Sequence, residues 1–216
     1  MSPKKSSFIN MTLTLFVITL VAGISLGFIN DLTIGPKAKA KLERKVNALK
    51  EVLSDFDNNP VEDVVMIKSE KAIDSIEIYP AFLGENRTGT AIVGSSENGY
   101  SGLVKIMVGF NPDKTIQNIV VLEQKETPGL GTKMKDDKFI RQFRGKDPSS
   151  FDMQVKKDGG EVDALTGATI TTRAFCEAAQ LAYDVLLEEN LSEVTPTEAE
   201  ATPVEATSTK VEPGTE

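Results

Sequence analysis

The chain contains no histidine and no tryptophan, and its 216 residues include a single cysteine, Cys176. Without histidine there is no Ser-His-Asp triad, no haem attachment of the C-x-x-C-H type and no ordinary zinc site. One cysteine excludes an intrachain disulfide, and any redox work must therefore come from a bound organic cofactor. Cys176 has only Arg173 as a charged basic neighbour in its stretch, and it reads as small core filling rather than a reactive thiol. An excess of basic charge is also missing. The net charge is −8, and the segment from Glu188 onward, with eight acidic residues and one lysine, supplies nearly all of it. The rest is close to neutral, which removes the electrostatic basis for binding nucleic acid.

What is present begins with an uncharged run from Ser6 to Asn30 behind Lys4 and Lys5, with an apolar heart from Phe8 to Ile29. As a helix this heart would span roughly 33 Å, enough for a hydrocarbon core of about 30 Å. A cleaved signal peptide is the rival. The run is longer than a usual signal core and no convincing small-residue cleavage site follows it, so the expectation is an anchor over 8–29. A short cytoplasmic tail would then occupy 1–7, and a domain would lie outside the membrane over 30–190. More basic residues follow the run (Lys37, Lys39, Lys41, Arg44, Lys45) than precede it, and a literal positive-inside count would place the domain in the cytoplasm.

Leu42, Val46, Leu49, Leu53 and Phe56 draw an apolar stripe on a helix predicted over 39–56. Strand-like runs follow at 73–79, 90–94, 103–110 and 116–122. Asn111-Pro112-Asp113-Lys114 joins the last two as an antiparallel hairpin. A short helix is expected over 136–144, a strand over 152–156 and a long helix over 171–187, with Phe175, Ala178, Leu181, Ala182 and Val185 on its buried face. From 191 the chain turns to Thr, Glu, Pro, Ala and Ser, too poor in large apolar groups to fold, and reads as a disordered acidic tail. The fold class is α+β: one domain with a small antiparallel sheet flanked by helices, behind one membrane-spanning helix.

Two stretches are hard to explain as ordinary folding. Glu126-Thr127-Pro128-Gly129-Leu130-Gly131 is a glycine-rich loop, and Asp163-Ala-Leu-Thr166-Gly167-Ala168-Thr169 places threonines around a glycine just where a helix signal begins. The bland account of the second is a helix cap, since a hydroxyl can satisfy the first free N–H groups. The sharper account uses the same geometry: unpaired N–H groups and a partial positive charge bind phosphate, and Gly167 and Ala168 let a bulky anion come close.

These residues resemble two signatures of one family, the FMN-binding subunits of membrane redox pumps: the G subunit of the Rnf complex and the C subunit of the sodium-pumping NADH:quinone reductase. Asp163-x-x-Thr166-Gly167-Ala168-Thr169 matches its D-x-x-[ST]-G-A-[ST] pattern, Glu126 to Gly131 matches E-T-P-G-L-G, and Gly99-Tyr100-Ser101-Gly102 has its G-Y-x-G form. The resemblance implies FMN joined through its phosphate to the hydroxyl of Thr169, with Thr166, Gly167, Ala168 and Asp163 around the attachment point. Glu126, Thr127, Gly129, Leu130 and Gly131 would lie toward the flavin. It also implies a separate flavin transferase, acting with FAD and magnesium, that recognises Asp163. The other membrane subunits of an ion-translocating ferredoxin:NAD⁺ oxidoreductase would be partners, and the domain would face the outer side of the cell membrane. The compact length looks more like the Rnf subunit. The competing account is an anchored structural or adhesion domain whose threonines only cap a helix, and it leaves the Glu126 loop unexplained.

Overall fold

From Phe8 the chain runs as one uninterrupted helix, α1 (Phe8–Val52), in a computed structural model that describes residues 8–68 and 75–192. The anchor and the helix expected over 39–56 are thus one rod, which ends at Val52 rather than Phe56. Pro36 lies inside it. A proline costs a helix one hydrogen bond and a steric contact, but Lys, Ala, Leu and Glu after it are strong helix formers, and the helical register continues beyond it. The N-terminal part is long and apolar enough to cross a membrane, and none of that window is buried within the protein. The expected stripe is used only at its C-terminal end: Leu49 and Leu53 are buried, joined by Ala48 and Val52, whereas Leu42 is exposed.

Five strands follow in a simple antiparallel meander: β1 (Val65–Ile67), β2 (Ile76–Leu83), β3 (Asn86–Gly99), β4 (Gly102–Phe110) and β5 (Ile116–Glu123), in that spatial order. Period-two alternation divides their side chains between two cores. Tyr79, Ala91, Val93 and Met107 face the end of α1. Ile78, Ile92, Ile106, Val108, Phe110 and Ile119 face the last helix, α3 (Thr169–Ser192). The hairpin at 111–114 forms as expected: the Lys114 N–H donates to the Asn111 carbonyl, and Lys114 takes a positive φ of 68°.

Two glycines let the helices sit close to the sheet. A Cβ on Gly109 would stand 1.8 Å from the Val52 carbonyl oxygen of α1, and one on Gly94 would stand 2.0 Å from the Ala178 oxygen of α3. The end of α1 is held further by Asn118, whose amide donates to the Glu51 carbonyl at 3.0 Å while its oxygen accepts from Arg144 at 2.8 Å. That bond satisfies one of the carbonyls a helix terminus leaves open.

Lys45 pins the helix to β2 by donating to both oxygens of Glu77 at 2.6 Å, and the Tyr79 hydroxyl donates to the same carboxylate at 2.7 Å. Burial pushes the Glu77 carboxyl up, but the hydrogen bonds from Lys45 and Tyr79 outweigh it and hold its pKa below the ordinary value of 4.5. A folded-state pKa lower than the unfolded one adds stability that is complete above the unfolded value and fades as the pH falls through the folded one. Glu77→Gln is therefore expected to cost roughly 1 kcal/mol near pH 7 and progressively less as the pH falls below the ordinary carboxylate value, which urea midpoints across that range would measure.

Between β5 and α3 the chain makes a long excursion. It holds a 3-10 turn at Gly131–Lys135, the short helix α2 (Asp137–Ile140) and a second 3-10 turn at Lys156–Asp158. The helix expected over 136–144 is thus a single α-turn followed by turns that end at Gly145, which has a positive φ of 70°. The expected strand over 152–156 is not one. Phe151, Met153 and Val155 are buried in alternation with exposed neighbours, but no ladder forms, and the segment has only an isolated bridge from Val155 to Val162. Phe139, Phe143, Phe151 and Phe175 seal this excursion against α3, with ring centroids 5.1 Å apart for Phe139–Phe175. α3 runs to Ser192, into the stretch expected to be disordered; residues 193–216 and the expected tail at 1–7 lie outside the described residues.

Candidate functional site

The two glycine-bearing loops meet at the head of α3. Thr127-Pro128-Gly129-Leu130 closes as a turn in which the Leu130 N–H donates to the Thr127 carbonyl at 3.2 Å, with Gly129 at a φ of 76° that only glycine adopts freely. Thr132 fixes it from below, its hydroxyl accepting from the Gly129 N–H at 2.9 Å. Leu165-Thr166-Gly167-Ala168 closes in the same way: the Ala168 N–H donates to the Leu165 carbonyl at 3.0 Å, and Gly167 also has a φ of 76°. The turns touch, since a Cβ on Gly167 would stand 3.4 Å from Cδ2 of Leu130.

The four threonines around this turn have different fates. Thr172 is fully buried, donating to the Ala168 carbonyl at 2.9 Å and accepting from the Leu165 N–H at 3.1 Å. Thr171 is buried and donates to Oε2 of Glu126 at 2.6 Å. Thr166 is exposed in the turn, and Thr169, half-buried, is the first residue of α3. The hydroxyls of both make no hydrogen bond among the described residues.

The residue whose carbonyl accepts the first helical bond, from the Thr172 N–H at 3.0 Å, is Ala168. Alanine has no side chain able to cap, and no threonine hydroxyl accepts from the first-turn N–H groups of Thr169, Ile170 or Thr171 among the described residues. The threonines therefore do not cap α3. What they leave is an open helix terminus: free N–H donors, the positive end of a 24-residue helix dipole, and the Thr169 hydroxyl beside them. These are the groups needed to hold a phosphate, so the residues present fit the phosphate of a flavin nucleotide.

Asp163 is exposed, with its carboxylate 2.7 Å from Nζ of Lys156. Gln142 braces its backbone, accepting from the Asp163 N–H at 2.8 Å. Beside it a cleft of about 340 Å³ is lined by Lys133, Lys138, Arg141, Asp163 and Thr166 among others. One turn along α3 from Thr169, Arg173 forks onto Asp158 at 2.7 and 2.8 Å, and that hydrogen-bonded pairing lowers the Asp158 pKa. Cys176 is buried, and burial, with smaller contributions from Glu177 and Asp152, pushes its thiol up to about 12. It stays protonated and inert at neutral pH, in keeping with core filling.

Glu126 opens the first of the two loops. It is 4 % exposed, and its carboxylate points into the protein, accepting at Oε1 from the Ser101 N–H at 3.0 Å and at Oε2 from Thr171. Its partners are Thr171, Ser101 and Gly99, which the sequence offered within stretches of their own but not as partners of Glu126. Their only signal was membership of the G-Y-x-G and threonine stretches, whose pairing across the fold no local pattern reveals.

The fold defines a class: a small α+β domain in which a five-stranded antiparallel meander packs on a long last helix whose first turn is left uncapped. Residues 99–184 match the FMN-binding domain family. The chain is 34 % identical to the G subunit of the ion-translocating oxidoreductase complex of Aliivibrio fischeri strain MJ11, over 83 % of this chain and 88 % of that protein. It is 32 % identical to the G subunit of the Na(+)-translocating ferredoxin:NAD(+) oxidoreductase complex of Acetobacterium woodii, over 83 % of this chain and 91 % of that one. The crystal structure of Shewanella oneidensis NqrC aligns with a TM-score of 0.43 at 25 % identity, covering 62 % of this chain and 75 % of that chain. The chain belongs to the family of G subunits of ion-translocating (Rnf-type) oxidoreductase complexes.

Proposed function

We propose that this protein is the membrane-anchored electron-transfer subunit of an Rnf-type complex, with FMN held as a phosphoester on Thr169 and α1 as its anchor. One observation carries the attachment site: Thr169 is the hydroxyl that stands in the first turn of an uncapped helix without a partner, whereas Thr171 and Thr172 are spent inside the fold. Thr166 is also free, but it sits in the turn ahead of the N–H groups. Backbone donors there would hold the phosphate, and the exposed Leu130 on its glycine-hinged turn would offer an apolar contact to the ring. FMN, once bound, supplies one- and two-electron chemistry that no side chain of this protein provides.

The attachment needs no general acid or base from this chain. With FAD as donor, Oγ1 of Thr169 bonds to the phosphorus of the FMN half, the pyrophosphate bond breaks, AMP leaves, and the hydroxyl proton passes to a separate flavin transferase. Asp163, braced in its backbone and exposed in its carboxylate, belongs to the surface that this enzyme would recognise. Asp163→Asn is expected to slow labelling several-fold while leaving the melting temperature nearly unchanged, because an exposed ion pair contributes only about 0–1 kcal/mol. Initial labelling rates and a thermal melt check both halves of that statement.

The domain lies on the outer side of the membrane in this proposal, where a covalent tether has a physical use: a cofactor lost there cannot be recaptured from the cytoplasmic pool. The test of the function is production with and without an active flavin transferase. Flavin fluorescence that survives denaturing electrophoresis, present only with the transferase, is the expected result. A protein that never acquires it under those conditions does not have the proposed function.

A further inference from the structure

We infer that Glu126 is a positioning residue: its buried carboxylate locks the flavin-accepting helix head, the E-T-P-G-L-G loop and the β3–β4 turn into one arrangement before any cofactor arrives, without contacting the cofactor. The inference rests on the function proposed above.

A carboxylate taken out of water is costly unless charge-assisted hydrogen bonds replace its hydration. Glu126 is 4 % exposed and uses its two oxygens in different directions. Oε1 accepts from the backbone of Ser101 in the β3–β4 turn, and Oε2 accepts from the Thr171 hydroxyl in the first turn of α3. The Glu126 N–H is itself anchored on Oε1 of Gln124 at 2.6 Å. Two glycines make room for the head group. A Cβ on Gly99 would come within 2.7 Å of Oε1, and one on Gly131 within 2.8 Å of both Oε2 and the Thr171 oxygen. Three segments far apart in sequence therefore close on one side chain.

The consequence is visible on the outside. Three of the four residues pressed against the carboxylate follow an exposed apolar one: Tyr100 before Ser101, Leu130 before Gly131 and Ile170 before Thr171, at 69, 43 and 46 % exposure. Apart from Val65 and Met66 in β1 and Leu83 at the end of β2, these are the exposed large apolar side chains of the domain among the described residues beyond the stem of α1. The buried knot fixes where all three are displayed and where Thr169, two residues from Thr171, presents its hydroxyl. Glu126 is not the base for that hydroxyl, because its second oxygen is committed to Thr171. Its effect runs through position, and a misplacement on the order of 1 Å can cost a reaction about a hundredfold.

The test is labelling of the full chain in detergent by purified flavin transferase with FAD and magnesium, with kcat and KM resolved for this protein as substrate. Glu126→Ala and the near-isosteric Thr171→Val are each expected to lower kcat roughly tenfold or more, with the double variant no worse than the worse single one. Thr171→Ser and Glu126→Gln, which keep hydrogen-bonding groups at the knot, restore most of the rate. Leu49→Ala, which destabilises the other core, is labelled at the wild-type rate despite a lower melting temperature. Glu126→Ala labelled as fast as wild type overturns the inference while the proposed function stands. So does Leu49→Ala losing as much rate for the same fall in melting temperature, or losses from Glu126→Ala and Thr171→Val that multiply. A wild type that takes no label overturns the proposed function and this inference with it.

Discussion

Thr169→Ala is expected to leave a folded protein that carries no denaturation-resistant flavin at all. The side chain makes no hydrogen bond among the described residues and stands at the first position of α3, so nothing in the fold depends on its hydroxyl. Alanine is the better helix former, and the melting behaviour should stay within about 0.5 kcal/mol of wild type. Thr169→Ser keeps the nucleophilic oxygen and should be labelled. Thr166→Ala removes the neighbouring free hydroxyl and should be labelled too. In-gel fluorescence of the wild type and these three variants, made alongside a transferase, reads the result directly. Resistant flavin on the Thr169→Ala protein would move the attachment elsewhere.

Gly94→Ala and Gly109→Ala should be the most destabilising single-methyl changes in the domain. Each added Cβ would fall about 2 Å from a backbone oxygen, 2.0 Å from Ala178 and 1.8 Å from Val52, and neither oxygen can rotate away as a side chain can. The helix must then lift from the sheet, at a cost of about 3 kcal/mol or more for each, at or beyond the upper end of ordinary overpacking. The readouts should differ. Gly109→Ala loosens the end of the α1 stem from β4, while Gly94→Ala displaces α3 and with it the helix head that holds Thr169. Urea unfolding measures the first quantity, and labelling of the residual folded fraction measures the second.

Much of this arrangement was legible in the residues, and the limits of that legibility have physical causes. The hairpin at 111–114 was readable because Asn, Pro and Asp carry turn chemistry locally. The buried face of α3 was readable because its periodicity is dense: Phe175, Ala178, Leu181, Ala182 and Val185 are all buried. Phe151, Met153 and Val155 alternate as a strand would, and their burial does alternate, but period two reports an extended segment with one side covered. It does not report whether a partner strand is there to bond. Gly35-Pro36 carries local breaker chemistry, yet the helix formers on the far side override it and α1 runs through. At the site, the threonines suggested a cap because cap statistics are local. Which residue supplies the first helical carbonyl, Ala168, depends on how the preceding turn closes. Glu126 was readable as part of a motif but not by orientation, since the Ser101 and Thr171 that turn it inward lie 25 and 45 residues away in sequence.

The family, the anchor and the domain agree on a subunit that moves electrons beside a membrane, and the physical point on which the account turns is the state of one hydroxyl. The most direct measurement is the mass of the proteolytic peptide spanning Thr169, taken from the mature protein isolated from its own cell. The account predicts that peptide heavier by one FMN less one water, with fragmentation placing the added mass on Thr169. The same peptide at its unmodified mass, from cells in which the complex is assembled and active, would contradict it.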